Sequence, residues 1–286
     1  MIYTNKTGLP QPIVDVITQE DYVAADNEFR VTSLIKGLKQ TILERRHDDE
    51  IEVDVSDLQD ALWGTAIHYI LENSQEREHL IKEDRLKAEI DGITISGKPD
   101  LYNSKTKTLT DYKTAKVWKF IFNDFVDWQQ QLKIYSWLLS KNGMEVQRAE
   151  IVGILKDFSK LDVRRKQGYP QCGMPTVSMD ITPEMIQETE QWLKERVRLL
   201  KGYLALPDDE IPECEPDERW ANDSKFAVMK KGRKSALKLF DNEDDALDFL
   251  EKQGHFIEYR QGTDRRCVDY CPAKEFCHYW KERYGG

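Results

Sequence analysis

Apolar residues recur at helical spacing over residues 31–46 (Leu34, Ile35, Leu38, Ile42, Leu43), with Thr32 or Ser33 placed to cap the first turn, so a helix is predicted there. An acidic stretch, 47–54, separates it from a second helical repeat over 58–71 that contains Gly64 and His68. From residue 85 the period shortens to two. Segments 86–91, 93–102 and 108–114 alternate, and Asp91-Gly92 and Asn103-Ser104-Lys105 punctuate them, which predicts a three-stranded meander. Helical spacing returns over 127–139 (Trp128, Leu132, Tyr135, Leu138, Leu139) and stops at Asn142-Gly143, a pair suited to a C-cap. A strand follows over 146–157, and Pro183 in a first turn opens a long helix reaching residue 203. Helix, meander, helix, strand, helix is the order of an α/β layer with a mixed sheet.

Beyond Pro207 the pattern changes. A Pro- and acid-rich linker, 207–217, leads into strands 225–229 and 235–240 around Gly232, a helix 243–253 with an acidic start, and a strand 255–259. This predicts a core over 1–206 and a small β-β-α-β appendage over 207–286. The 286 residues are enough for both. With 40% hydrophobic and 33% charged residues the chain is neither collagen-like nor wholly disordered. No run approaches the roughly 20 apolar residues of a membrane span, and the first residues lack a signal-peptide pattern. The expectation is a soluble cytoplasmic protein with no membrane partner.

The chain carries 42 basic and 52 acidic residues, a net charge of -10, so a nucleic-acid partner would have to meet a local basic surface. Runs such as Lys230, Lys231, Arg233 and Lys234 supply candidates, as do Lys116 and Lys119, with Trp118 and Phe120 nearby for stacking on bases.

The meander holds the candidate chemistry. In Gly97-Lys98-Pro99-Asp100 and Asp111-Tyr112-Lys113, a turn centred near Lys105 puts Asp100 opposite Asp111 or within two residues of it. Cross-strand Cβ atoms lie about 4.5 to 5.5 Å apart, diagonal ones about 7 to 8 Å. Asp111 and Lys113 share a face and Tyr112 points away. Two carboxylates that close repel unless a cation lies between them. A hard divalent ion, Mg2+ or Mn2+, would take both carboxylates, the Tyr112 carbonyl and water. Such a centre suits hydrolysis of a phosphodiester, with Lys113 orienting water or stabilising the transition state. An isolated Asp-x-Lys is usually a salt-bridged hairpin; the upstream Pro-Asp and the flanking apolar residues distinguish this one.

These residues resemble the PD-(D/E)XK nuclease superfamily, and within it the RecB-like branch of recombination-repair, CRISPR-adaptation and phage exonucleases. Four pieces carry the resemblance in order: Gly64-x-x-x-His68, Gly97-x-x-Asp100, Asp111-x-Lys113 and Gln131-Leu132-x-x-Tyr135. They span less than a third of the chain. The resemblance implies a restriction-endonuclease-like core, a mixed sheet flanked by helices, and a metal-dependent DNA exonuclease with Asp100, Asp111 and Lys113 as catalytic residues. His68 would join Asp100, Asp111 and Tyr112 at the metal, an imidazole suiting Mn2+ better than Mg2+. Gln131 and Tyr135, four apart on one helix face, would brace Lys113 or touch the DNA backbone. A helicase or single-strand annealing protein is the implied partner besides DNA. The alternative is a catalytically silent DNA-binding or assembly subunit on the same scaffold.

Five cysteines in such a chain do not form a disulfide framework. Cys267-x3-Cys271-x5-Cys277, with Pro272 placed to open a helix, is dense enough to suggest a thiolate-bound metal. Several RecB-like nucleases hold a 4Fe-4S cluster with one distant and three C-terminal cysteines, and this tail is similar, although its first spacing is C-x3-C and no cysteine precedes the core. Cys214 is the expected fourth ligand, Cys172 the alternative. Structural Zn2+ bound by four cysteines, or by three with His278 or His255, fits the same residues.

Overall fold

The computed structural model describes residues 1–19, 22–82, 84–250 and 254–285. The chain opens with β1 (Ile2–Thr4), α1 (Gln11–Thr18), β2 (Glu28–Arg30), α2 (Val31–Ile35) and α3 (Leu38–Arg46). The single helix predicted over 31–46 is two helices, because Lys36 takes an extended ψ of 170° between them. Next come β3 (Glu52–Asp54), α4 (Gln59–Glu72), β4 (Leu80–Lys82), β5 (Leu86–Ile90), β6 (Ile93–Gly97), β7 (Leu101–Asn103) and β8 (Thr108–Ala115). They are followed by α5 (Val117–Ile121), α6 (Val126–Lys141), β9 (Arg148–Leu155), α7 (Lys160–Arg165), β10 (Thr176–Asp180) and α8 (Pro183–Leu204). The last part holds α9 (Pro216–Arg219), β11 (Lys225–Lys230), β12 (Lys238–Phe240), α10 (Glu243–Asp248), β13 (His255–Arg260) and α11 (His278–Tyr284).

Contacts divide the chain into two compact units, Met1–Lys36 with Asp48–Ala205, and Gly37–His47 with Leu206–Gly286. The sequence places residues 37–47 in the core; in the structure α3 belongs with the C-terminal residues. Its side chains explain why. Lys39 bonds to the Ile211 carbonyl, Arg46 and His47 hold Asp208, and the His47 ring stacks on Phe276 at 3.9 Å.

In the first unit a five-stranded mixed sheet has the order β10-β9-β8-β7-β4, with β8 and β9 parallel and the other pairs antiparallel. A second sheet, β2-β6-β5, lies beside it in sequence but not in pairing. The expected meander is therefore split. Asp91 and Gly92, both at positive φ, turn β5 tightly into β6 with Ile90 opposite Ile93. The chain then leaves that sheet at Gly97. Pro99, which lacks an N–H for a ladder, lies in the crossing to the larger sheet. Helix α6 packs against β5, β6, β8 and β9 and buries Leu132, Ile134, Leu138 and Leu139, while α4 packs against β8. The mixed sheet flanked by helices is thus present.

The second unit contains an antiparallel sheet of order β12-β11-β13, with α10 between β12 and β13, which is the expected β-β-α-β order. Asn242 caps α10, which ends at Asp248; the rest of the helix expected to reach 253 includes 251–253, outside the described residues. Pro272 does not open a helix. It follows a short π-helical segment ending at Tyr270, and α11 begins only at His278. No helix among the described residues is long and apolar enough to cross a membrane.

Candidate functional site

The β7–β8 register places Leu101 opposite Thr110. Extended by one residue it sets Asp100 against Asp111, and Asp100 turns one oxygen onto the neighbouring strand, its Oδ2 accepting from the Tyr112 N–H at 2.6 Å. Its Oδ1 lies 3.2 Å from His68 Nδ1 on α4. Lys113 Nζ stands 2.9 Å from Asp111 Oδ2 and donates to Gln131 Oε1, also at 2.9 Å. Gln131 Nε2 in turn donates to the Tyr135 hydroxyl at 3.1 Å. Four stretches of sequence therefore meet in two linked chains of contacts, His68 to Asp100 and Tyr135 through Gln131 and Lys113 to Asp111. Bracing Lys113 is the contact that Gln131 makes.

Gly97 has a steric reason. A Cβ there would come within 2.6 Å of Tyr135 Cε1, so the bare backbone is what lets the Tyr135 ring lie against the strand end. Gly64, one turn before His68, has no such reason, since a Cβ there would meet nothing within 4 Å.

Asp111 is 2% exposed. Burial pushes its carboxyl up to about 6, with Lys113 opposing the rise and Asp100 adding to it. The Lys113 ammonium sits at ion-pair distance without hydrogen-bond geometry, so Asp111 Oδ2 is buried with no hydrogen-bond partner. The ammonium meets part of that oxygen's charge, and a second cation would complete it. Two facing carboxylates, one with an oxygen that lacks a hydrogen bond, are a donor set that suits a hard divalent cation, with the Tyr112 carbonyl and His68 as further donors. Among the described residues no group of three or more His, Cys, Asp or Glu side chains forms a ready-made metal site.

Two open clefts lie at the site, the first reaching Asp100 and the second Tyr135. One, of about 280 Å³, is lined by Glu72, Arg77, Lys82, Asp100, Leu101 and Tyr112 among others. The other, of about 130 Å³, is lined by Arg30, Thr32, Arg85, Ser96, Lys98 and Tyr135 among others, and gathers three cations. Sequence reasoning sought basic surface in runs and missed this one, because its cations come from the end of β2, the approach to β5 and the exit of β6. It also missed Lys82, whose Nζ donates to the Glu72 and Ser74 carbonyls at 2.8 and 2.7 Å and so closes the C-terminal end of α4, the helix that carries His68. Lys119 is paired with Asp124, Phe120 packs where a Cβ of Gly153 would stand, and Trp118 is 52% exposed. Glu89 is an exposed strand charge.

In the second unit Cys214, Cys267, Cys271 and Cys277 line one cavity together with Lys39 and Trp280. Burial pushes the Cys214 thiol up to about 11 and the Cys267 and Cys271 thiols up to about 12. Gly37 approaches so closely that a Cβ would lie 2.4 Å from Cys214 Sγ. Four thiols line one cavity and are the donor type a soft or borderline metal takes, although as placed they do not form a ready-made site. Cys172 is exposed and belongs to the first unit. His278 faces Lys39, and His255 does not line the cavity. Lys230, Lys231, Arg233 and Lys234 are exposed about the β11–β12 turn.

No family model and no curated protein matches the chain. Among solved structures it is similar to that of SSO0001, with 17% identity, a TM-score of 0.44, and coverage of 63% of this chain and 79% of that one. A phage-related exonuclease from Haemophilus somnus 129PT matches with 18% identity and a TM-score of 0.40, covering 62% of this chain and 93% of that one. An alkaline exonuclease (LHK-Exo) from Laribacter hongkongensis matches with 12% identity and a TM-score of 0.39, covering 63% and 90%.

Proposed function

We propose that the protein is a metal-dependent nuclease that hydrolyses phosphodiester bonds of DNA, acting as an exonuclease in recombination, repair or phage DNA processing. The observation that carries this reading is the meeting of Asp100, Asp111 and Lys113 at one point, with an oxygen of Asp111 buried and met only by the Lys113 ammonium. Asp100 and Asp111 would hold Mg2+ or Mn2+, with the Tyr112 carbonyl and His68 as further donors. Such an ion neutralises phosphate charge and acidifies bound water.

The chain's own residues do the rest. Lys113 presents an ammonium whose direction is set by Gln131, itself held by Tyr135; from there it can donate to the attacking water or to a non-bridging phosphate oxygen as charge develops. Asp100 is fixed by the Tyr112 N–H, so its second oxygen keeps its aim. Arg30, Arg85 and Lys98 would draw the backbone of the substrate to a chain that is acidic as a whole. A silent scaffold has no need to hold two carboxylates together at a buried site, where their repulsion costs stability.

The four cysteines of the second unit would hold a 4Fe-4S cluster, with structural Zn2+ as the alternative. For the nuclease reading, the test is protein purified anaerobically and incubated with linear and circular DNA, with Mg2+ and with Mn2+. Linear DNA should be degraded only with a divalent ion, and Asp111→Ala and Lys113→Ala should abolish this while leaving circular dichroism unchanged. Salt-sensitive DNA binding with no cleavage under either ion would replace this reading with the scaffold.

A further inference from the structure

Lys39 is the anomaly of the second unit. It lies on α3 with 2% of its surface exposed, among the largest fully buried side chains of the protein. Its Nζ donates to the Ile211 carbonyl at 2.7 Å and meets His278 Nδ1 at 2.9 Å. An ammonium is a donor only, so in this contact His278 Nδ1 accepts. Neither partner is an acid, and among the described residues no carboxylate forms an ion pair with Lys39; the acids that act on it, Glu213 and Asp208, do so from beyond ion-pair distance. A buried charge without a countercharge costs several kcal/mol even after relaxation. Helix propensity gives no reason to prefer it to methionine at this position.

The cavity it lines supplies a reason. Around the four cysteines stand Lys39, Arg219, Arg266 and Lys274, against one carboxylate, Glu218. Arg219 is already paired with Glu213 and Asp264, which leaves Lys39, Arg266 and Lys274 as an excess of positive charge suited to face an anion. Four thiolates on one divalent metal, or on a 4Fe-4S core of charge +2, carry a net charge of -2 in either case. We propose that Lys39 is the built-in counter-cation of a dianionic four-thiolate centre, holding its charge in the protein interior and slowing its loss. This rests on the reading that Cys214, Cys267, Cys271 and Cys277 hold a metal centre. Lys39 acts as a positioning residue, since it binds the centre's charge without serving as a ligand.

The experiment uses full-length protein purified anaerobically, with iron, acid-labile sulfide and zinc measured on wild type, Lys39→Met and Lys39→Arg. Release of the metal to an excess of chelator is then followed, and melting temperatures are taken in parallel. Release from Lys39→Met should be faster by roughly tenfold or more, as for loss of an outer partner of a metal site, while Lys39→Arg stays near wild type. Lys39→Gln serves where Lys39→Met does not accumulate as folded protein. The second arm repeats Lys39→Met in a variant with all four cysteines replaced by serine. There the substitution should leave the melting temperature unchanged or raise it, whereas in the metal-loaded protein it lowers it. Wild-type release rates in Lys39→Met, or the same fall in melting temperature in both backgrounds, would overturn the role of Lys39. Wild-type protein that carries neither iron nor zinc would overturn the four-cysteine centre itself, and the counter-cation with it.

Discussion

Replacing Asp111 by asparagine removes a charge from a site that is 2% exposed while keeping its shape. Burial lifts this carboxyl from 3.8 to about 6. At about 1.4 kcal/mol per pKa unit, the folded metal-free protein carries a deficit of about 3 kcal/mol when Asp111 is ionised. The sign follows from linkage. An acid whose folded pKa lies above its unfolded value binds more protons when folded, so the deficit is absent below pH ~4, grows through the interval, and is complete above pH ~6. Asp111→Asn should therefore stabilise the chelated protein by up to about 3 kcal/mol near pH 8 and by about half as much near pH 5. Denaturant melts in EDTA at the two pH values measure this. Adding millimolar Mg2+ should stabilise the wild type and not the variant, because on the proposed reading the ion needs both carboxylates. If Asp111→Asn in EDTA is no more stable than wild type near pH 8, or gains equally at both pH values, the account of a buried acid awaiting a cation is wrong.

Gln131→Leu should cut the turnover of the proposed cleavage by roughly tenfold or more with little change in KM, since it frees the lysine without altering the clefts; a variant with wild-type kcat would show that the brace is dispensable. Gly97→Ala places a methyl 2.6 Å from Tyr135 Cε1 and should cost about 1 to 3 kcal/mol in a denaturant melt, with Tyr135→Leu restoring part of the loss. Lys82→Met leaves two carbonyls at the end of α4 unpaired and should speed amide hydrogen exchange over 66–74 while exchange over β8 stays slow.

Much of the site could be read from spacing alone, because alternation on a strand and four-residue steps on a helix are properties of the backbone. Asp111 and Lys113 share a face for that reason, Gln131 and Tyr135 likewise, and the turn at 103–107 puts Asp100 opposite Asp111. Local pattern also located α6, α8, β9 and the β-β-α-β order of the second unit. It could not say that β6 and β7 part company at Gly97, because apolar alternation looks the same whichever sheet a strand joins. Nor could it say that α3 leaves the core for the C-terminal residues, or that the buried Lys39 would share a cavity with four cysteines whose nearest member is 175 positions away in the sequence. The cationic cleft of Arg30, Arg85 and Lys98 is of the same kind. Period and turn chemistry act over a few residues and are written in the chain; which charge meets which is settled only when distant segments pack and shut out the water that would otherwise screen them.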